Sequence, residues 1–182
     1  CYIHFKEVAM KMRDIEKQRN LYFKLNVHEI NFHAKYFKEK TLDLDVFLPS
    51  LNMNLQRDLV WTLHQKQELI LSILFKRNIP RFAVIGMNDE SYQVIDGKQR
   101  LNAIFDFIDS KFPLVFDDGE YYINDLPDKY RLGVLHYNIP AYICYEDFNK
   151  TFPDKDKVLW FGMINYFGTE QDQKHLDKLK CI

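Results

Sequence analysis

Lys98, Gln99 and Arg100 stand directly after Asp96-Gly97, where an alternating β pattern (Tyr92-Gln-Val-Ile95) gives way to a helical one on Leu101, Ile104, Phe105 and Ile108. The three polar side chains therefore fall in the first turn of a helix. Unpaired N–H groups and the positive end of the helix dipole meet there, which makes such a turn a natural anion site. Lys98 and Arg100 do nothing for the helix itself, because cations are disfavoured at that end. They make sense if a phosphate lies against them. Gly97 suits the geometry, since glycine permits a tight turn or a close approach of the backbone. The stretch reads as a phosphate-binding turn in which Lys98, Arg100 and the Gly97 backbone hold the phosphates. Asp96 has two readings. It accepts the N–H groups of its own turn, or it binds Mg²⁺ or orients a water beside a phosphate, with Gln99 orienting either one.

A second polar group, Gln56-Arg57, and Trp61 precede another helix pattern on Leu69, Ile70, Ile73 and Leu74. Thr62 and Gln65 have the spacing of a capping box at its start. If the two helix starts converge, two arginines, a lysine and two glutamine amides line one pocket. Arginine brings forked donors suited to phosphate oxygens, and lysine a point charge. Trp61 beside a helix start reads first as a core residue and second as a stacking surface. Lys76, Arg77 and Arg81 form a small basic cluster, either a solvated helix end or a contact for a nucleic-acid backbone. Glu146-Asp147 and Asp117-Asp118 read as solvated turns. His64, His136 and His175 have no metal-ligand spacing, and no phosphate-binding loop of the Gly-x-x-x-x-Gly-Lys type is present.

The elements that must position these residues follow from pattern. Leu42-Asp-Leu-Asp-Val-Phe-Leu48 alternates and predicts a strand ending at Pro49. Phe82–Ile85 and Tyr92–Ile95 predict a hairpin across Asn88-Asp-Glu-Ser91. Pro80 stops the helix that starts at Thr62. A short helix is expected from Pro127 to Leu135, a strand from Ile139 to Tyr145 and a helix from Asp154 to Phe167. Phe5, Val8, Ala9, Met12 and Ile15 fit one face of an N-terminal helix, and Thr169 caps a terminal helix through Lys180. Residues 26–40 mix His, Phe, Tyr and Lys without a clear period.

Composition sets the class. The 182 residues are 47% hydrophobic, with 15 Phe and 11 Tyr, enough for one cored domain and too apolar for disorder. The net charge of −1 gives no bulk attraction to nucleic acid, so any such contact needs a local patch. Three cysteines, widely spaced, suggest no disulfide framework and a reducing, cytoplasmic compartment. No apolar run is long enough to span a membrane. Beginning at Cys1 rather than Met, the sequence reads as lacking its natural start.

Leu55-Gln-Arg-Asp-Leu-Val-Trp61, Leu69-Ile-Leu-Ser-Ile-Leu74, Ile79-Pro80 and Val94-Ile-Asp-Gly-Lys-Gln-Arg-Leu101 together resemble the N-terminal domain of GmrSD-type restriction endonucleases, within the ParB/sulfiredoxin-like superfamily. Phe161-Gly-Met-Ile-Asn165 and Gly168-Thr169 resemble a later segment of the same domain. The resemblance spans about Leu42 to Thr169. It implies an α+β fold, a small mixed sheet with packed helices and helical terminal extensions. It also implies a helical extension over 1–40 and a nucleotide-binding domain over 41–182. The implied activity is Mg²⁺-dependent NTP hydrolysis coupled to DNA recognition in phage defence. Asp96, Gln99 and Arg100 would be catalytic, with Asp96 on the metal. Gln56, Arg57, Gly97, Lys98 and Asn165 would hold the nucleotide. Lys98 stands where the family has Gln, and Leu59 where an aromatic is common. The family's nuclease half is not in this sequence, so a nuclease domain or subunit is an expected partner. Two alternatives stay open: a non-catalytic DNA-binding module, and a regulatory subunit whose N-terminal helix docks on a nuclease.

Overall fold

Phe82-Ala-Val-Ile-Gly86 is buried at every position, because the strand it forms carries a packed layer on each face. Its side chains alternate, as the period of a strand requires. Phe82 and Val84 enter one apolar cluster, and Ala83 and Ile85 enter the other. The computed structural model describes residues 24–146 and 152–165, together with 16, 19 and 20. Its strands are β1 (His28–His33), β2 (Leu42–Asp43), β3 (Phe47–Leu48), β4 (Met53–Asn54), β5 (Phe82–Gly86), β6 (Tyr92–Asp96), β7 (Leu114–Phe116), β8 (Gly119–Tyr121) and β9 (Asn138–Tyr145). Its helices are α1 (Ala34–Lys38), α2 (Leu63–Leu74), α3 (Lys98–Ile108), α4 (Asp128–Leu135) and α5 (Asp154–Asn165).

Five strands form a mixed sheet in the order β1-β9-β5-β6-β2. β9 runs parallel to β5 and antiparallel to β1, and β6 runs antiparallel to β5 and parallel to β2. On one face the larger core gathers Ile70 and Ile73 of α2, Leu101, Ile104 and Phe107 of α3, and Val134 of α4. On the other, Trp160 and Phe161 of α5 close over Ile85, Ile95 and Cys144. Burial pushes the Cys144 thiol up to about 12, so this cysteine is a core apolar group and not a nucleophile.

The chain is α+β, and the hairpin β5–β6, the helices α2 to α5 and the strand β9 lie where the sequence put them. One expectation needs correction. The strand expected over 42–48 is two short strands in different sheets. Asp43 accepts the N–H of Asp45 at 3.1 Å, an Asx turn that breaks the run and sends β3 to pair with β4. Residues 28–38, for which no period was legible, form β1 and α1. β1 is an edge strand on which only Ile30 and Phe32 pack inward, so its polar majority masks the alternation. β1 pairs with β9 along its length. The apolar face expected on Phe5 to Ile15, the Gly168-Thr169 break, the helix through Lys180 and the Asp147 turn lie outside the described residues.

Candidate functional site

α2 and α3 both begin over the same end of the sheet. The turn that starts α3 demands glycine twice over. Gly97 has φ +108°, where side chains are strained, and a Cβ there would sit 2.1 Å from Cδ1 of Phe82. The two helix starts do converge. Gln56, Arg57, Trp61, Asp96, Gly97, Lys98, Gln99, Arg100 and, from α5, Asn165 line one cavity of about 450 Å³, a size that small ligands occupy. Glu68, Asn78 and Arg81, which the sequence reading did not place there, complete its polar wall. Trp61 is half-buried, packs on the larger core and lines the cavity.

Two glutamines hold the site together. Gln56 donates to the Val94 carbonyl at 2.6 Å and accepts the Lys98 N–H at 3.2 Å, tying β6 to the first amide of α3. Gln99 answers in the other direction. It donates to the Asp58 carbonyl at 2.8 Å and accepts the N–H groups of Val60 and Trp61 at 3.1 and 3.3 Å. The segment before α2 and the turn before α3 are thereby cross-braced. This bracing use of both amides has no signal in a single sequence, where a glutamine near a loop reads equally as a ligand group.

Arg100 and Asp96 form an ion pair at 2.6 Å with both side chains largely buried. Arg100 also donates to the Pro80 carbonyl and lies 4.4 Å over the Phe82 ring, a cation–π contact. Among the described residues, two of its N–H donors are engaged in hydrogen bonds. Burial pushes the Asp96 carboxyl above the usual carboxylate value, against the opposing pull of Arg100, the Asn165 amide and the Gly97 N–H. Asn165 thus reaches the site through Asp96, and its own amide also donates to the Phe161 carbonyl at 2.8 Å. Pro80, read in sequence only as a helix stop, supplies a carbonyl that fixes the arginine.

The four cations divide. Lys98, its side chain 5% exposed, directs its ammonium to Asp45, a residue the sequence reading passed over and one outside the cavity wall. Arg81 pairs with Glu29 at 2.8 Å and stacks over Tyr142. Arg100 is committed to Asp96. Arg57 lines the cavity half-buried, and among the described residues it has no hydrogen bond or ion pair. Beside it, the N–H groups of Gln99 and Arg100 have no partner among the described residues, whereas Lys98 N–H is capped by Gln56.

The donor set does not fit Mg²⁺ held on Asp96. That carboxylate is ringed by a guanidinium, an amide and a backbone N–H, all of them donors, and a divalent cation needs oxygen ligands. Among the described residues no three His, Cys, Asp or Glu side chains gather into a metal cluster. The arrangement suits an anion at the mouth of α3, flanked by Arg57 and Arg100.

A family model described as GmrSD restriction endonuclease, N-terminal domain, matches residues 34–180. Comparison with curated proteins and with solved structures gave no match.

Proposed function

Since the chain belongs to the family of GmrSD restriction endonuclease N-terminal domains, whose setting is restriction and phage defence, we propose that the cavity binds the phosphates of a nucleoside triphosphate and hydrolyses it. The observation that carries this reading is a single one. Arg57, which has no hydrogen bond or ion pair among the described residues, lines one cavity with the N-terminal amides of α3, equally without a partner among the described residues, and with a second, fixed guanidinium from Arg100 beside them. Backbone N–H groups at a helix start bind phosphate oxygens, and the dipole favours their charge.

In this reading Arg57 and the amides of Gln99 and Arg100 hold the phosphates, and Gly97 lets the chain approach them closely. Arg100, aligned by Asp96 and Pro80, stabilises charge that develops on the transferring phosphoryl group, the main catalytic term in such reactions. Asp96, whose hold on a proton burial strengthens, orients the attacking water, and Asn165 fixes the carboxylate. Lys98 acts from outside, anchoring α3 through Asp45, unless a bound anion draws it away. Mg²⁺ on Asp96 is not part of this reading. A nuclease domain or subunit receives the output, and the cytoplasm is where nucleotide and foreign DNA meet. ParB/sulfiredoxin-like ancestry is consistent with the mixed sheet.

The direct assay is phosphate release from ATP, GTP, CTP and UTP with Mg²⁺ in solution, with and without DNA. Turnover that falls at least about tenfold in Arg57→Ala, a loss of about 1.4 kcal/mol of transition-state binding, is the expected result. No turnover of any nucleotide with DNA present would remove the hydrolase reading.

A further inference from the structure

α2 separates the first cavity from a second. Leu69 and Ser72 face the first, while Ile73 and Leu74 at the end of the same helix face a second of about 350 Å³, walled on its far side by α4. Its polar lining is Lys76, Arg77 and Lys129 with the rings of Tyr130 and Tyr137, and among the described residues no carboxylate lines it. Lys76 and Lys129 form no ion pair among the described residues, and Arg77 has only a loose one, Glu68 at 3.9 Å with both side chains more than half exposed. The basic cluster read in the sequence thus splits: Lys76 and Arg77 belong here, and Arg81 belongs to the first cavity.

A bland explanation accounts for part of this. Cations at the C-terminus of α2 complement its dipole, which covers Lys76 and Arg77. It does not cover Lys129, the second residue of α4, where the dipole disfavours a cation. Nor does it cover the backbone of Lys76. The Lys76 N–H bonds the Ile73 carbonyl at 3.1 Å and the Arg77 N–H bonds the Ser72 carbonyl at 2.9 Å, a double closure whose left-handed position is usually glycine. Lys76 occupies it at φ +54°. The helix would close better with glycine, so the ammonium is what that position gains.

We propose that this second cavity is a contact site for the phosphodiester backbone of nucleic acid, with Lys76, Arg77 and Lys129 meeting phosphates and Tyr130 offering its face to a base or sugar. Lys129 already lies 5.8 Å over the Tyr130 ring, so cation and stacking surface are adjacent, the pairing that single-strand and backbone binders use. A chain of net charge −1 must bind such a polymer through a local patch of this kind. The choice of a polymer as the phosphate source rests on the family's restriction setting and not on nucleotide binding in the first cavity.

The test is anisotropy of a labelled DNA oligonucleotide, single-stranded and duplex, titrated with the full chain over a range of salt without nucleotide. Lys76→Gly and Lys129→Gln should each weaken binding and lower the salt slope by about 1. Lys76→Gly should do so while its unfolding temperature stays level or rises, which separates lost contact from lost fold. No DNA binding at low salt, or an unchanged slope in the double variant, would overturn the proposal. So would inorganic phosphate displacing DNA where chloride at equal ionic strength does not, since that marks a small-anion site. Because no nucleotide is present, a failure of the hydrolase reading leaves these outcomes unaffected.

Discussion

At the scale of single residues, the site depends on groups whose loss cannot be absorbed. Gly97 is fixed by its φ and by the Phe82 ring. Gly97→Ala is expected to cost about 3 kcal/mol from strain and overlap together, read as a lowered midpoint in urea; a midpoint within experimental scatter of the native one would show that the turn relaxes. Arg100→Ala removes the partner of a buried carboxylate. The expected loss is about 3 kcal/mol of stability, so this variant confounds binding with folding. Arg57→Ala does not, because Arg57 has no hydrogen bond or ion pair among the described residues. Equal stability of the native chain and Arg100→Ala would mean that water or a protonated Asp96 replaces the pair without penalty. The sequence made the pairing of Asp96 with Arg100 hard to see, since four-residue spacing in a first turn reads equally as two ligand groups facing a phosphate. It made Gly97 easy to see, because few other reasons place Asp-Gly between a strand and a helix.

At the scale of elements, α2 and α3, packed through the larger core, are also bridged by one carboxylate. Asp106 of α3 accepts from Lys66 of α2 at 2.8 Å, from Asn102 at 2.7 Å and from Lys111 at 2.8 Å. Burial pushes its pKa up, but the bonds from Lys111 and Lys66 more than offset this and hold it below the usual carboxylate range. A depressed native pKa contributes stability that is present above the unfolded carboxylate value and is lost as the pH falls through the native one. Asp106→Asn should therefore cost about 2 kcal/mol near neutrality and less in acid, where the native chain has already lost that contribution. Denaturation midpoints of both proteins along a pH series test this; parallel curves would exclude Asp106 as the acid-sensitive link. Helix and hairpin existence was legible because capping boxes, turn residues and apolar periods agreed locally, as at Thr62 and Gln65. The fate of 42–48 was not, because the Asp43 carboxylate competes with the ladder for the Asp45 N–H, and β1 was not, because an edge strand buries too little to show its period.

At the scale of the molecule, the sheet carries its chemistry at one end. The ends of β6 and the starts of α2 and α3 meet there, α5 brings Asn165 from the opposite face, and a second basic cavity lies just across α2. That Gln56-Arg57 and Asp96–Arg100 could share one pocket was legible in the sequence as a condition, since both groups sit at helix starts. Which of those side chains face a ligand and which brace the frame was not, because the division depends on partners such as Asp45, Pro80 and Asp58 that lie far off in the chain. Among the described residues that line the first cavity, Arg57 is the cation without an ion pair or hydrogen bond. The deciding measurement is calorimetric titration of the full chain and of Arg57→Ala with ATP, GTP, CTP and UTP in the presence of Mg²⁺. Saturable binding of at least one nucleotide, weakened at least about tenfold in Arg57→Ala (about 1.4 kcal/mol) with unfolding temperature unchanged, is expected. Binding of equal strength in the variant, or none to any nucleotide in the native chain, would contradict that expectation.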